Sequence, residues 1–181
     1  MEELNLLTGT TEFNREDHVT MFNANVKSCD ENGIVYNDTN PEWVPFGEDN
    51  DEITREMNNE TDSKKNVLGR VKVNHTSGPQ TTEIDPIAIR GNDKLSAILY
   101  MMFKYNLTGD KAKLQCCEVT FADEQSEGVY GAFTESAIAD LKSWGGDTSK
   151  LNSPITLNWL NDRVHGTFST ESNTFTATTT E

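Results

Sequence analysis

The chain has 181 residues, 34% of them hydrophobic and 25% charged, with a formal net charge of -15 and a pI near 4.5. That length suits one domain with or without an extended arm, and a mean hydropathy of -0.64 implies a lean core with polar loops and half-wet strands. So acidic a protein repels a polyanion in bulk, which argues against a sequence-reading nucleic-acid binder.

Met1 to about His18 shows no clean period and is expected to be an arm or a loosely ordered start. Met1-Glu2-Glu3-Leu4-Asn5 lacks a basic n-region and an apolar h-region, so no signal peptide is expected. No apolar run approaches the ~20 residues that span a bilayer, so no membrane contact is expected. A β-like run follows at Val19-Thr20-Met21-Phe22 and Asn25-Val26. Asn32-Gly33, after Asp30-Glu31, is a hairpin-turn signal because both residues tolerate positive φ, and Ile34-Val35-Tyr36 returns from it. Trp43-Val44 forms a short run between Pro41 and Pro45.

An acidic stretch comes next, with Glu48, Asp49, Asp51, Glu52, Glu56 and Glu60 around the single Arg55, closed by Lys64 and Lys65. It holds no apolar stripe, so a long loop at about 46–66 is expected. Val67, Gly69, Val71 and Val73 then alternate with mostly polar residues, predicting a strand from about Asn66 to His75. Ser77-Gly78-Pro79 is a turn, and a run from Thr81 to Ile84 leads to Pro86, which belongs at a strand end or sheet edge.

The clearest helix starts at Asn92-Asp93, either of which can cap it. Leu95, Ile98, Leu99, Met102 and Phe103 fall at i, i+3, i+4, i+7 and i+8, which predicts one apolar face laid on a sheet. Lys104 suits the negative end of the dipole, and Gly109 is the expected stop. Beyond it Leu114 and Cys116 share one parity while Val119 and Phe121 share the other, which suggests a bulge at Cys116-Cys117. Val129, Phe133, Ala137, Ala139 and Leu141 keep period two up to Trp144-Gly145-Gly146-Asp147, so a strand is preferred there over the helix that propensity alone would allow. Ile155, Leu157 and Trp159 alternate before Asn161-Asp162, and Val164, Gly166 and Phe168 after it, reading as a hairpin. Phe175 and Ala177 make a last short strand in a Thr-rich tail. The fold class is therefore α+β, mainly β, a sandwich or open barrel with one main helix.

Chemistry is hard to find in this pattern. His18, His75 and His165 lie far apart with no H-x-x-x-H or C-x-x-C, and the acidic stretch lacks the order of a calcium loop, so no metal and no cofactor are expected. Cys29, Cys116 and Cys117 are odd in number, and adjacent cysteines in a strand point to opposite faces, so reduced thiols and a cytoplasmic setting are expected. The sequons at Asn37, Asn59, Asn74 and Asn106 then mark only Asn- and Thr-rich composition. No nucleophile elbow or phosphate loop occurs, so no enzyme is expected. Trp43, Trp144 and Trp159 could line a sugar-binding face, although Trp159 at strand spacing reads as core.

The order of segments carries more. The W-V-P-F-G run, the acidic I-T-R-E-M-N-N-E-T loop and the K-K-N-V-L-G strand entry resemble the front half of a bacteriophage major tail protein, the tail-tube subunit of long-tailed phages. N-D-K-L-S-A-I-L-Y-M-M-F-K-Y-N-L-T-G-D is similar to the helix and following T-G-D of that family. Y-G-A-F-T-E-S-A-I-A-D-L-K-S-W-G-G-D and L-N-W-L-N-D-R-V-H-G-T-F resemble the later strand and the C-terminal hairpin. The likeness runs from about Val19 to Ala177, which implies an N-terminal arm at 1–18 and a tail-tube domain at 19–181.

The resemblance implies a structural virion protein without catalysis. Such subunits form hexameric rings stacked into a tube around a tape-measure protein, and DNA later transits the lumen without specific binding. It also implies assembly in the host bacterial cytoplasm and residence in the virion tail. Lumen-facing carboxylates would keep DNA sliding. Glu48, Asp49, Asp51, Glu52, Arg55, Glu56, Glu60, Lys64 and Lys65 become candidates for an inter-ring loop, with the three cations pairing across rings. Thr81–Ile84 and Thr174–Thr178 are candidate open edges that a neighbour completes. The alternative from another class is a carbohydrate-binding β-sandwich.

Overall fold

Alternation of apolar and polar residues builds most of this chain, and a single 3.6-residue stripe builds its helix. The computed structural model describes residues 12–48, 50 and 52–178. It is α+β and mainly β, with 50% of the described residues in strands and 12% in helix, and with a curled sheet. The strands in chain order begin with β1 (His18–Asn23), β2 (Val26–Asp30), β3 (Gly33–Tyr36), β4 (Trp43–Pro45), β5 (Arg55–Glu56), β6 (Glu60–Lys65), β7 (Val71–Thr76) and β8 (Thr81–Ile84). Helix α1 (Lys94–Tyr105) precedes β9 (Lys113–Ser126) and β10 (Val129–Leu141). Then come β11 (Gly145–Gly146), β12 (Leu151–Asn152), β13 (Ile155–Trp159), β14 (Val164–Ser169) and β15 (Thr174–Ala177).

The main sheet runs β4-β1-β9-β10-β13-β8-β5, all antiparallel, and branches at β10. Residues 137–141 of β10 pair with β13, while residues 129–134 pair with β14, which in turn carries β15. The expected hairpin between β13 and β14 is therefore not formed: the two strands occupy successive stretches of one edge of β10.

Two cores sit on the two faces of this sheet. On one, Phe22, Leu114, Cys116, Ala137, Ala139, Ile155, Leu157 and Trp159 pack with Leu95, Ile98, Leu99 and Met102 of α1. On the other, Met21, Trp43, Cys117, Val119, Ala132 and Phe168 form a second cluster. This explains the mixed parity of β9. Its register with β10 is unbroken from Lys113 to Thr120, so no bulge occurs at Cys116-Cys117. Both faces are buried there, and the irregularity lies instead where Val129–Gly131 pair.

Helix α1 starts as its sequence requires, with the Asp93 carboxylate accepting from the Ser96 N–H at 2.8 Å. It stops earlier than Gly109. Asn106 adopts the left-handed conformation at φ 49°, and the Leu107 N–H reaches the Met102 carbonyl at 2.9 Å, closing a Schellman-type end. Phe103 departs from the expected core face. At ~100° per residue it lies about 80° round from Leu95. It is 50% exposed and stacks on Trp144 at 4.8 Å.

Three further expectations shift. The arm at 1–18 lies outside the described residues up to 11, and beyond them Arg15–Asp17 form a 3-10 turn and His18 already belongs to β1. In the β2–β3 hairpin the loop is Glu31-Asn32, and only Gly33 takes positive φ, at 118°. Thr81–Ile84 is only partly an open edge, since β8 pairs with β13 on one side throughout and with β5 on the other at Thr81 and Thr82. Among the described residues β15 is paired with β14 alone and ends its branch of the sheet.

Replacing Leu99, which is fully buried, by Ala should cost about 2–5 kcal/mol of stability in urea unfolding. Replacing Asp93 by Ala should cost only about 1 kcal/mol, because it removes a cap and opens no cavity.

Candidate functional site

Two features stand apart from ordinary packing: a buried cluster of charges, and a hairpin that is exposed along its whole length among the described residues. The cluster sits where β10 changes partner. Glu135 has the same parity as Ala137 and Ala139, so its carboxylate points into the helix-side core, where its side chain is 1% exposed. An uncompensated carboxylate there would be very costly. Arg55 Nη2 donates to Glu135 Oε2 at 2.6 Å and Arg163 Nε donates to the same oxygen at 2.9 Å. The backbone N–H of Asn161 satisfies Glu135 Oε1 at 2.9 Å. Arg55 Nη1 also donates to Glu118 Oε1 at 3.0 Å, and both arginines donate to Gln80 Oε1 at 2.8 Å. Its guanidinium lies 4.0 Å from the Trp159 ring centroid.

His18 completes the cluster. Its Nε2 lies 3.2 Å from Glu118 Oε2, and Nδ1 lies 2.9 Å from the Thr120 hydroxyl. A carboxylate only accepts, so it is the Nε2 N–H that faces Glu118. Burial pushes the Glu118 carboxyl up, but the His18 hydrogen bond and the Arg55 charge outweigh it and leave the group below its ordinary value.

The second feature is the β6–β7 hairpin. Every residue from Glu56 to Ser77 is exposed. Its register puts Glu60, Asp62, Lys64, Lys72, Asn74 and Thr76 on one face and Thr61, Ser63, Lys65, Val71, Val73 and His75 on the other. Val71 is 58% exposed and Val73 61%, although their alternation is that of a strand with one buried face. The end is ordered by Asn66, whose Oδ1 accepts from the Leu68 and Arg70 N–H groups at 3.0 Å each. That turn presents Val67 and Leu68 bare to solvent. A two-stranded hairpin alone is marginal in water, and this one leaves its valine face exposed.

Charge separates the hairpin from the body. Between Glu60 and Thr76 stand Lys64, Lys65, Arg70 and Lys72 against Glu60 and Asp62, a net +2. The whole chain is -15, so the rest carries -17.

The inter-ring candidates accordingly fall into different places. Arg55 is corrected: its side chain is 14% exposed and committed to buried carboxylates of its own chain, so it is not free to pair across an interface. Glu48 is exposed and pairs with Arg90 at 3.1 Å; Glu52 accepts from Thr54 at 2.7 Å. Asp49 and Asp51 lie outside the described residues. Glu56 is exposed at the end of β5. Glu60, Lys64 and Lys65 lie on β6, so the supposed loop at 46–66 ends in a strand, and the strand expected from Asn66 starts only at Val71. Sequence reading missed Val71 and Val73 as a presented face. It also missed the cluster, although a glutamate sharing parity with buried alanines was a legible sign of one.

Other chemistries find few footholds. Among the described residues no group of three or more His, Cys, Asp or Glu is placed to hold a metal. No helix among them is long and apolar enough to cross a membrane. Cys116 and Cys117 are buried free thiols; burial pushes both up, Cys117 to about 12, and so suppresses the nucleophilic thiolate. Trp43 and Trp159 are each buried, the latter donating to Thr82 Oγ1 at 2.9 Å. Comparison with protein-family models, with curated proteins and with solved structures finds no match.

Arg55→Gln should destabilise the chain by about 3–5 kcal/mol in urea unfolding, because two buried carboxylates lose their shared cation. Adding Glu118→Gln should recover part of that loss, and purely additive costs would sink the network reading. The pH dependence follows from the depressed Glu118 carboxyl. Its contribution is present above the ordinary glutamate value of ~4.3 and is lost as pH falls toward its folded value. The stability of Glu118→Gln should therefore fall less steeply than that of the native chain below about pH 4, measured by thermal melts across pH.

Proposed function

We propose that this chain is the tail-tube subunit of a long-tailed bacteriophage, a structural virion protein that polymerises as stacked hexameric rings. In this reading the tube surrounds a tape-measure protein and later conducts DNA into the host. The observation that carries it is the β6–β7 hairpin, a basic, valine-faced arm projecting from a body of opposite charge.

The physical argument runs through that asymmetry. The valine face gains free energy only by burial, at ~25 cal/mol per Å² of apolar surface. Two hairpins repel one another, whereas hairpin and body attract, so a second copy of the chain supplies a complementary surface. The contact is then between unlike patches, the arrangement that builds rings and filaments. The outer side of β15, unpaired among the described residues, is a further place where a neighbour can add a strand. The acidic body suits a conduit, because carboxylates give phosphate no counterion-releasing contacts. The resemblance in segment order supports the same reading. The sugar-binding alternative loses ground, since Trp43 and Trp159 are buried and Trp144 has one face against Phe103.

Negative-stain electron microscopy of the purified protein, fresh and after concentration, tests this directly. Rings or tubes with a central channel are the expected result. Val71→Ser with Val73→Ser should stay folded but lose polymer, and raising salt should slow growth of the native chain. Persistent monomers at high concentration, with or without a seed complex, would overturn the reading.

A further inference from the structure

We propose that Asn58, Gly78, Arg55 and Gln80 form a rigid neck that fixes the direction in which the hairpin projects. With every residue from Glu56 to Ser77 exposed, no packing among the described residues sets the arm's angle along its length, so direction has to be set where it leaves the body. Six residues of β6 at ~3.3 Å each put the tip about 20 Å out, and a swing of ~10° would move it by about 3.5 Å, more than hydrogen-bonded contacts tolerate.

The neck is built from both chains of the arm. On the way out, β5 pairs Arg55 with Thr82 and Glu56 with Thr81, so the entering strand is held to the leaving one. Arg55 Nε donates to Gln80 Oε1 at 2.8 Å, tying the entry to the exit through a side chain that is itself fixed by Glu118 and Glu135. Asn58 turns the chain at φ 50°, and its Nδ2 donates to the Pro79 carbonyl at 2.8 Å and to Thr81 Oγ1 at 3.2 Å. Gly78 closes the gap. A Cβ there would lie 1.6 Å from the Asn58 carbonyl oxygen, so only glycine lets the two strands approach this closely. The buried charges thus aim the arm as well as hold the core, and these four are positioning residues.

Two variants separate the neck from the fold. Gly78→Ala forces the strands apart without touching a buried group. Asn58→Gly keeps the left-handed turn and removes both side-chain bonds. Spin labels at Leu68→Cys and Glu127→Cys, in a Cys29→Ser background that leaves only the buried Cys116 and Cys117, report tip position by electron–electron resonance. The native chain should give one narrow distance distribution, and each variant a broadened or shifted one, with melting of the body unchanged. A broad distribution in the native neck, or an unchanged one in both variants, overturns the proposal.

Its consequence for assembly rests on the tail-tube reading and is scored separately. Loss of polymer in Gly78→Ala, with the body still folded, supports the link. A broadened arm that polymerises at the native rate overturns it. A native chain that never polymerises counts against the proposed function, while the distances still decide the neck.

Discussion

The carboxylate of Glu135 is the constraint around which this molecule is arranged. It lies on the helix-side face of β10, at the first of the two residues between the stretch paired with β14 and the stretch paired with β13. A strand that gives up one partner and takes another leaves backbone groups and space at the junction. Here the space is filled by two guanidinium groups, an amide side chain and the turn at Asn161. The Ser136 N–H, next along, is satisfied by Asp162 Oδ1 at 2.7 Å. Replacing such a cluster by well-packed apolar residues is often neutral for stability. Its use here is geometric: through Arg55 it ties β5 to Glu118 on β9 and to Glu135 on β10.

That geometry links core to surface. β5 is only two residues long, yet it is the root of the projecting hairpin. Its hold on the sheet is short, so its fixation depends on Arg55 reaching Glu118 and Glu135, 63 and 80 residues away in sequence. Sequence, local structure, buried electrostatics and presentation of a surface are joined through this one side chain.

The long, periodic elements were legible. Lys94–Tyr105 announced itself by its stripe and its Asp93 cap, and Val129–Leu141 by a period of two that outlasted its helix-favouring alanines and glutamate. What misled was non-local. Cys116 and Cys117 both face cores, so a regular strand imitated a bulge. Ile155–Trp159 and Val164–Ser169 are neighbours in sequence and looked like partners, whereas each pairs more profitably with β10. Arg55, in a run of acids, read as solvated because its real partners lie on strands that only tertiary folding brings near. Of the candidate site, the exposure of Glu48, Glu60, Lys64 and Lys65 was legible. The contrast between a basic arm and an acidic body was not, because the acids at 48–60 mask the cations that follow.

The projecting β6–β7 hairpin has one more consequence, which concerns polarity. In the tail-tube reading the basic arm meets the acidic body and not a second arm, so any chain of such contacts is directional. One terminus would display unsatisfied arms and the other unsatisfied receiving surfaces. The two termini would then differ in chemistry, one basic and apolar, the other acidic. Growth need not proceed equally from both, and no single kind of capping protein could close the two.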